Sequence, residues 1–309
     1  MILLTGCSGY IGQCLESYFN KKELIITDKK KPKYKTEKKF YKINLLEKEK
    51  IKNIFNSRKI NTVIHLAGKS LVDEKANYND YFRNNVIATR NLVNVMETFK
   101  VKNIIFSSTA SVYKKSMKIV NENSRVKPVS KYSRTKLMCE KLIKKNCKNF
   151  IILRFFNVAS SMPKIKRGEN HNPETHLIPS FIQCVLKNKF LKINGKNYKT
   201  KDGTCVRDYI HIKDICSAIK SSLKVIKNRK QVINIGTNKG FSILEVIEKI
   251  SKVSKKKVKF TYRKKRKGDS PFLVSDFKKS KKILRWKPIN SNLNKIIKDE
   301  ILWQKFNLN

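Results

Sequence analysis

Acidic residues are scarce in this chain. Against 71 Lys+Arg stand only 23 Asp+Glu, a formal net charge of +48 over 309 residues. A balance so lopsided carries the electrostatic footprint of a polyanion binder. The lysines, however, run from Lys21 to Lys305 with no basic tail, and no zinc-finger or RNA-motif pattern accompanies them. The excess reads as a diffuse bias in which Lys, Asn and Ile are all abundant, and nucleic acid is not an expected partner. At low salt the charge should still speed the approach of anionic substrates.

Paired cysteines are missing as well. The seven cysteines include no C-x-x-C, and none sits in a ligand spacing with the four histidines. Buried, reduced thiols and no metal are therefore expected. Met1-Ile2-Leu3-Leu4 meets Gly6 too soon for a signal segment. No run approaches the ~18 apolar residues of a membrane span. No internal repeat or flexible linker breaks the sequence, so a cytoplasmic chain with one large domain or two interleaved ones is expected.

What is present alternates. Ile2-Leu3-Leu4-Thr5 reads as a buried parallel strand that feeds Gly6-Cys7-Ser8-Gly9-Tyr10-Ile11-Gly12 and a helix to about Phe19. Leu24-Ile25-Ile26-Thr27-Asp28 is a second strand ending in an acid. Strand, glycine turn, helix, strand, acid is the order that lets a pyrophosphate approach a helix N-terminus. The acid would take the adenosine ribose hydroxyls. Asp28 opposes a 2′-phosphate and favours NAD over NADP, an inference that Lys29, Lys30 and Lys31 weaken.

Further strands are predicted at residues 62–68, 104–109 and 150–154, with helices over 81–99 and from Tyr132 to about Lys145. Such alternation implies right-handed crossovers and a doubly wound parallel α/β (Rossmann-type) sheet. Ligands of such sheets bind beyond the carboxyl ends of the strands. Ala67-Gly68, Ser107-Ser108-Thr109 and Asn157 fall at those ends. After Asn157 the alternation fails. Residues 163–173 read as loop, 176–186 as helix, 195–203 as turns, 209–212 and 232–236 as strands with a helix after Asp214 between them. Residues 243–250 read as helix, and the basic stretch 255–267 as a charged strand and loop.

Tyr132 and Lys136 lie four residues apart, on one helical face. Free tyrosine titrates near ~10, so a base at neutral pH needs a shift of roughly three units, about 4 kcal/mol. A cation one turn away is the kind of neighbour that stabilises a tyrosinate. Alone, the same spacing is a common amphipathic face with a snorkelling lysine. Its place beside the strand ends raises the chemical reading.

These residues resemble the extended short-chain dehydrogenase/reductase family and, within it, the branch that epimerises UDP-sugars at C4. The resemblance spans nearly the whole chain. It rests on residues 5–12, Phe106-Ser107-Ser108-Thr109-Ala110, Tyr132 with Lys136, Leu153-Arg154-Phe155-Phe156-Asn157, and Pro173-Glu174-Thr175-His176-Leu177-Ile178-Pro179. The most particular piece is Asp202-Gly203-Thr204-Cys205-Val206-Arg207-Asp208-Tyr209-Ile210-His211. Residues 263–269 and Trp286-Lys287-Pro288 resemble C-terminal signatures of the same branch.

The resemblance implies a smaller, interleaved C-terminal substrate domain. It implies a dinucleotide domain over 1–172 to which 208–250 returns, and a UDP-sugar domain over 173–207 and 251–309. NAD is the implied cofactor, contacted by Gly6, Gly9, Tyr10, Ile11, Gly12, Asp28, Asn44, Leu45, Leu66, Ala67, Gly68, Asn85, Ser107, Tyr132, Lys136 and Phe156. The implied UDP-sugar contacts are Thr109, Tyr132, Asn157, His176, Leu177, Arg207, Tyr209, Arg266 and Asp269. The implied activity is interconversion of UDP-glucose and UDP-galactose, with Tyr132, Lys136 and Thr109 catalytic and Lys136 depressing the tyrosine. A homodimer through the 81–99 and 132–145 helices is implied too.

The chain also departs from the pattern. Asn44 stands where an aspartate usually contacts adenine, Lys29 replaces an asparagine, and Lys114 replaces a glycine. Leu273 matches a position where bulk excludes N-acetyl sugars, so UDP-N-acetylhexosamines, like UDP-xylose, stay open. A 4,6-dehydratase needs an acid beside Thr109, whereas Thr109-Ala110-Ser111-Val112-Tyr113 has none. A decarboxylase, a net oxidoreductase and a non-catalytic polyanion binder are the remaining alternatives.

Overall fold

The computed structural model describes residues 1–70, 77–170, 174, 176–266 and 268–308. Pro173, Thr175 and Lys267 of the sequence motifs, and the expected boundary at 172, lie outside the described residues. In chain order come β1 (Ile2–Thr5), α1 (Tyr10–Glu16), β2 (Leu24–Asp28), β3 (Lys39–Lys42), α2 (Lys48–Ser57) and β4 (Thr62–His65). Next are α3 (Tyr78–Tyr81), a π-helical turn (Phe82–Ile87), α4 (Ala88–Thr98), β5 (Asn103–Thr109), α5 (Lys131–Asn146) and β6 (Asn149–Phe155). Then follow β7 (Asn157–Ala159), α6 (Leu177–Leu186), β8 (Leu191–Asn194), β9 (Val206–Arg207), β10 (Tyr209–His211), α7 (Ile212–Val225) and β11 (Lys230–Ile235). The last are β12 (Phe241–Ser242), α8 (Ile243–Ser254), β13 (Phe260–Arg263), β14 (Phe272–Leu273), α9 (Lys278–Leu284) and α10 (Leu293–Leu308).

Two compact units alternate along the chain. The first takes Met1–Val112, Pro128–Arg154 and Ala218–Ile233, and the second takes Tyr113–Lys127, Phe155–Ser217 and Asn234–Asn309. Within the second unit, Phe156 N–H donates to Ile235 O (3.2 Å) and Asn157 N–H to Asp208 O (3.0 Å).

The first unit is built on a seven-stranded sheet of order β11-β6-β5-β4-β1-β2-β3. β1 pairs in parallel with both β2 and β4, as do β2 with β3 and β4 with β5. This is the doubly wound α/β sheet that the alternation predicted. β4 and β6 are buried along their whole length, which is why they read as unbroken apolar runs rather than as alternation. Leu3, Ile25, Val63, Ile104 and Ile152 meet Leu92, Met96 and Ile143 of the helices in one core. The order reverses across β1 and β4, where doubly wound sheets place their ligands.

The second unit has a core of its own, with Phe181 and Ile182 of α6, Val246 and Ile250 of α8, and Ile296 and Ile297 of α10. A capping box starts α8, Ser242 Oγ accepting from Glu245 N–H and Glu245 Oε2 from Ser242 N–H. Strand pairing places Tyr209 opposite Asn157 and Arg207 opposite both Phe241 and Leu273.

Two elements differ from expectation. α1 stops at Glu16, and the chain to Phe19 closes in turns in which Tyr18 N–H donates to Leu15 O and Phe19 N–H to Glu16 O. The expected 81–99 helix is interrupted by the π-helical turn, which holds Asn85 buried. Such turns are costly for a helix and often sit at functional sites.

Candidate active site

At the switch point two loops abut. Gly6 has φ +80°, and a Cβ there would stand 2.5 Å from Ala67 N. A Cβ on Gly12 would stand 2.0 Å from Gly6 O. Both glycines are thus required by the protein itself. Gly9 differs, because a Cβ there would meet only Gly6 O, at 3.4 Å. Nothing among the described residues excludes a Cβ at Gly9, so the bare backbone there suits the close approach of a pyrophosphate. This is the feature by which the turn fits a dinucleotide.

Asp28 stands at the tip of β2, as predicted. Its Oδ2 accepts from Ser8 N–H of the glycine turn (3.0 Å) and its Oδ1 from Lys30 N–H (3.3 Å). Asn44 Oδ1 accepts from Leu46 N–H at 3.1 Å, so this side chain shapes the turn before α2. Leu45 is buried and Leu66 half-buried. Asn85 clamps Lys69, the residue after Gly68, accepting from its N–H (2.7 Å) and donating to its carbonyl O and to Thr135 Oγ1 (3.0 Å). Ser107 Oγ donates to His65 O at 3.2 Å. Tyr10 and Ile11 open α1.

Ser130 starts α5 by accepting from Ser133 N–H at 3.0 Å. An N-cap of this kind is worth about 1 kcal/mol, and here it fixes the helical phase of Tyr132 and Lys136. Tyr132 falls in the first turn and Lys136 one turn on. The Lys136 ammonium lies 4.2 Å from the centroid of the Phe106 ring, a cation–π contact beneath β5. Burial pulls Lys136 down to about 8, offset in part by Cys139 and Glu140. Burial pushes Tyr132 up to about 12, while the hydrogen bond with Thr109 works the other way. Lys136 does not figure among the groups that move Tyr132, so the expected depression is not supplied by the protein's own charges in this structure. Thr109 Oγ1 lies 2.9 Å from Ser111 Oγ. Ala110 and Ser111 follow Thr109, so the position of an eliminating acid holds none.

The lysine shift has a measurable consequence. With a folded pKa below its unfolded one, Lys136 binds fewer protons folded than unfolded between pH 8 and 10.5. The stability of the wild-type protein is therefore expected to rise with pH from 8 towards 10, by up to ~1.4 kcal/mol per unit relative to Lys136→Met. Urea unfolding of the two proteins across that range checks it, and parallel curves would refute it.

The remaining predicted residues belong to the second unit, and the 202–211 stretch gathers several of them. Arg207 Nη2 lies 3.5 Å from Asp269 Oδ1, and Asp269 N–H donates to Arg266 O. Arg266 itself is exposed. Asn157 Nδ2 and Tyr209 Oη are buried with no hydrogen-bond partner. Orphaned polar atoms cost free energy and are often kept for a ligand. Phe156 is buried, His176 is the N-cap residue of α6, and Leu177 is its first helical residue. Burial draws His176 down, but Glu174, Glu169 and Glu300 outweigh it and leave it raised.

Sequence reasoning missed the groups behind these. Glu140 is fully buried and takes Ser108 Oγ (2.5 Å) together with Arg154 Nε (2.9 Å) and Nη2 (2.7 Å). Its place one turn beyond Lys136, on the inward face of α5, was the available signal. His65 is buried and neutral, lowered to about 3 by burial and then by Lys136. Thr5 and Thr89 hydroxyls flank its ring at 2.7 and 2.9 Å. Asp208, also fully buried, gathers Thr237 N–H and Oγ1, Asn238 N–H, and Ser275 N–H and Oγ. It thereby fixes the strand segment that carries Arg207 and Tyr209.

The profile of the NAD dependent epimerase/dehydratase family matches residues 2–236. The chain belongs to that family. A family protein named UDP-glucose 4-epimerase, from Halalkalibacterium halodurans, is 33% identical over 98% of this chain and 95% of its own length. The crystal structure of UDP-glucose 4-epimerase from Bifidobacterium longum, in complex with NAD+ and UDP, superposes with a TM-score of 0.92 at 27% identity, over 100% of this chain and 99% of that one. That of the UDP-Glc/GlcNAc 4-epimerase from Campylobacter jejuni superposes with a TM-score of 0.82 at 33% identity, over 99% of both chains. The glycine turn, β1 to β11 and the Tyr132–Lys136 pair all fall inside the span matched by the epimerase/dehydratase profile. Among the described residues no helix is long and apolar enough to cross a membrane.

Proposed function

We propose that the protein is an NAD-dependent UDP-glucose 4-epimerase, interconverting UDP-glucose and UDP-galactose. The observation that carries this reading is Tyr132 with Lys136 one turn on along α5, close enough to Thr109 at the carboxyl end of β5 for its hydroxyl to act on the phenol, with no carboxylate following Thr109 in the chain. Such a site suits removal and return of hydrogen at one carbon, and lacks the acid that elimination needs.

Bound NAD supplies a reversible hydride acceptor and a positive ring close to the base. Tyr132 Oη takes the proton of the sugar 4-hydroxyl as C4 gives up its hydride. Thr109 holds that hydroxyl and relays its proton. Lys136 holds the nicotinamide ribose, and the positive ring so positioned favours the tyrosinate. The keto sugar turns over and is reduced on its other face, Tyr132 returning the proton. Reaction at both faces requires that the UDP be the anchor and the hexose be held loosely. Arg207 and Arg266 suit a diphosphate, with Asn157, His176, Leu177, Tyr209 and Asp269 completing the contacts.

Incubation with a panel of UDP-sugars, scored by the product sugar, tests the reading. UDP-galactose is expected to give UDP-glucose with no net NADH absorbance. Net NADH would mean an oxidoreductase, and salt-dependent RNA binding without turnover would mean a polyanion binder. A second substrate, UDP-N-acetylglucosamine, is favoured by the likeness to the Campylobacter jejuni enzyme and left open by Leu273. Turnover of UDP-glucose alone would reject it. The reading extends to a homodimer through α4 and α5, where Met138 of α5, beside Tyr78 of α3, leaves apolar surface exposed. Sedimentation as a monomer would remove that extension.

A further inference from the structure

Two buried carboxylate oxygens of the second unit lack a hydrogen-bond partner, Glu174 Oε2 and Glu300 Oε2. They belong to one cluster. His176 Nδ1 lies 2.9 Å from Glu174 Oε1 and 3.5 Å from Glu169 Oε2. One donor atom from each of these three residues falls within 4.8 Å of the others. The Glu169 and Glu174 side chains are only 5% and 3% exposed. Glu300, fully buried on α10, is close enough for both glutamates and His176 to act on its charge. The same helix face bonds to the surrounding chain. Trp303 Nε1 donates to Glu169 O at 2.6 Å, and Gln304 bonds to Glu300 and to Gln183 of α6.

Such a cluster is costly. Three carboxylates leave water in a chain that has only 23 acids to set against 71 basic residues. A divalent cation offsets all of these costs at once, and it would take up the unpartnered Glu174 oxygen.

We propose that Glu169, Glu174 and His176 bind one divalent transition-metal ion, with Glu300 as the outer acid of the site. Two carboxylates and an imidazole are a donor set for Zn2+. Mg2+ and Ca2+ prefer oxygen alone. The ion ties Glu169 and Glu174 to His176, the N-cap residue of α6, and commits His176 Nδ1, leaving Nε2 for other contacts. This replaces the sequence expectation of no metal, and it stands whether or not the UDP-sugar reading holds.

The test is calorimetric titration of the chelator-treated full-length protein with ZnSO4, and with MgCl2 as control. One Zn2+ per chain is expected, with Mg2+ much weaker. Because removing an outer partner already costs 10–100-fold, Glu174→Gln is expected to weaken Zn2+ by roughly 100-fold or more. Circular dichroism establishes that the variant is folded, and if it is not, Glu169→Gln serves with the same expectation. Co2+ in place of Zn2+ should give a spectrum without thiolate-to-metal charge-transfer bands, which separates this site from the seven cysteines. No stoichiometric Zn2+, equal affinity for Mg2+, thiolate bands, or unchanged affinity in the folded variant would each overturn the proposal.

Discussion

Tyr132→Phe is expected to lower kcat for UDP-galactose by about 10²–10⁴-fold, the usual worth of a positioned acid–base group. KM should change little, because the UDP, held by other residues, supplies most of the binding. The ring is half-buried on α5 and packs 6.5 Å from the Tyr81 ring, centroid to centroid. Phenylalanine keeps that packing and removes only the hydroxyl, so the fold should survive. The loss of the Thr109 hydrogen bond costs about 1 kcal/mol at most. Burial holds the Tyr132 phenol up at about 12 in this structure, so its use as a base depends on positive charge brought to it. Wild-type kcat should therefore fall at low pH, as the tyrosinate is protonated, and that limb should vanish from any residual activity of the variant. Steady-state kinetics across pH reads both effects. If Tyr132→Phe kept wild-type turnover, the proton would have to leave by another group and the assignment would be wrong.

The parts of this site that could be read from sequence are those carried by short-range pattern. The glycine turn, the acid ending β2 and the i,i+4 pair on α5 each need only a dozen residues to be visible. β4 and β6 were visible because burial on both faces leaves an unbroken apolar run. The π-helical turn was not. It keeps the composition of a helix, and only the long-range bonds of Asn85 to Lys69 and Thr135 show why the helix gives way there. Asp208 was singled out within a motif, but its work lies in bonds to residues 237, 238 and 275 that no spacing rule foresees. The cluster at Glu169, Glu174 and His176 was missed for another reason. Its spacing matches no metal motif, and the nearby acid that completes it comes from α10, more than a hundred residues on.

The largest loss of stability is expected from Glu140→Ala. The Glu140 and Arg154 side chains are 0% and 4% exposed and share two hydrogen bonds, at 2.7 and 2.9 Å. Forming such a pair gains little net, because both ions leave water, but removing one partner strands the other charge and costs about 3–5 kcal/mol. Ser108 loses its acceptor in the same variant. Replacing both ions with apolar residues, as in Glu140→Leu with Arg154→Met, should recover most of that loss. Function should separate the two proteins in the opposite way. Ser108 immediately precedes Thr109, and Glu140 lies one turn beyond Lys136, so the pair ties the end of β5 and the inward face of α5 to β6. The double variant is therefore expected to be nearly as stable as wild type and yet slower in kcat, since Thr109 and Tyr132 would lose their fixed separation. Chemical denaturation and steady-state kinetics on the same preparations check this. A stable double variant with full kcat would show that the ion pair holds the fold alone and has no part in aligning the base.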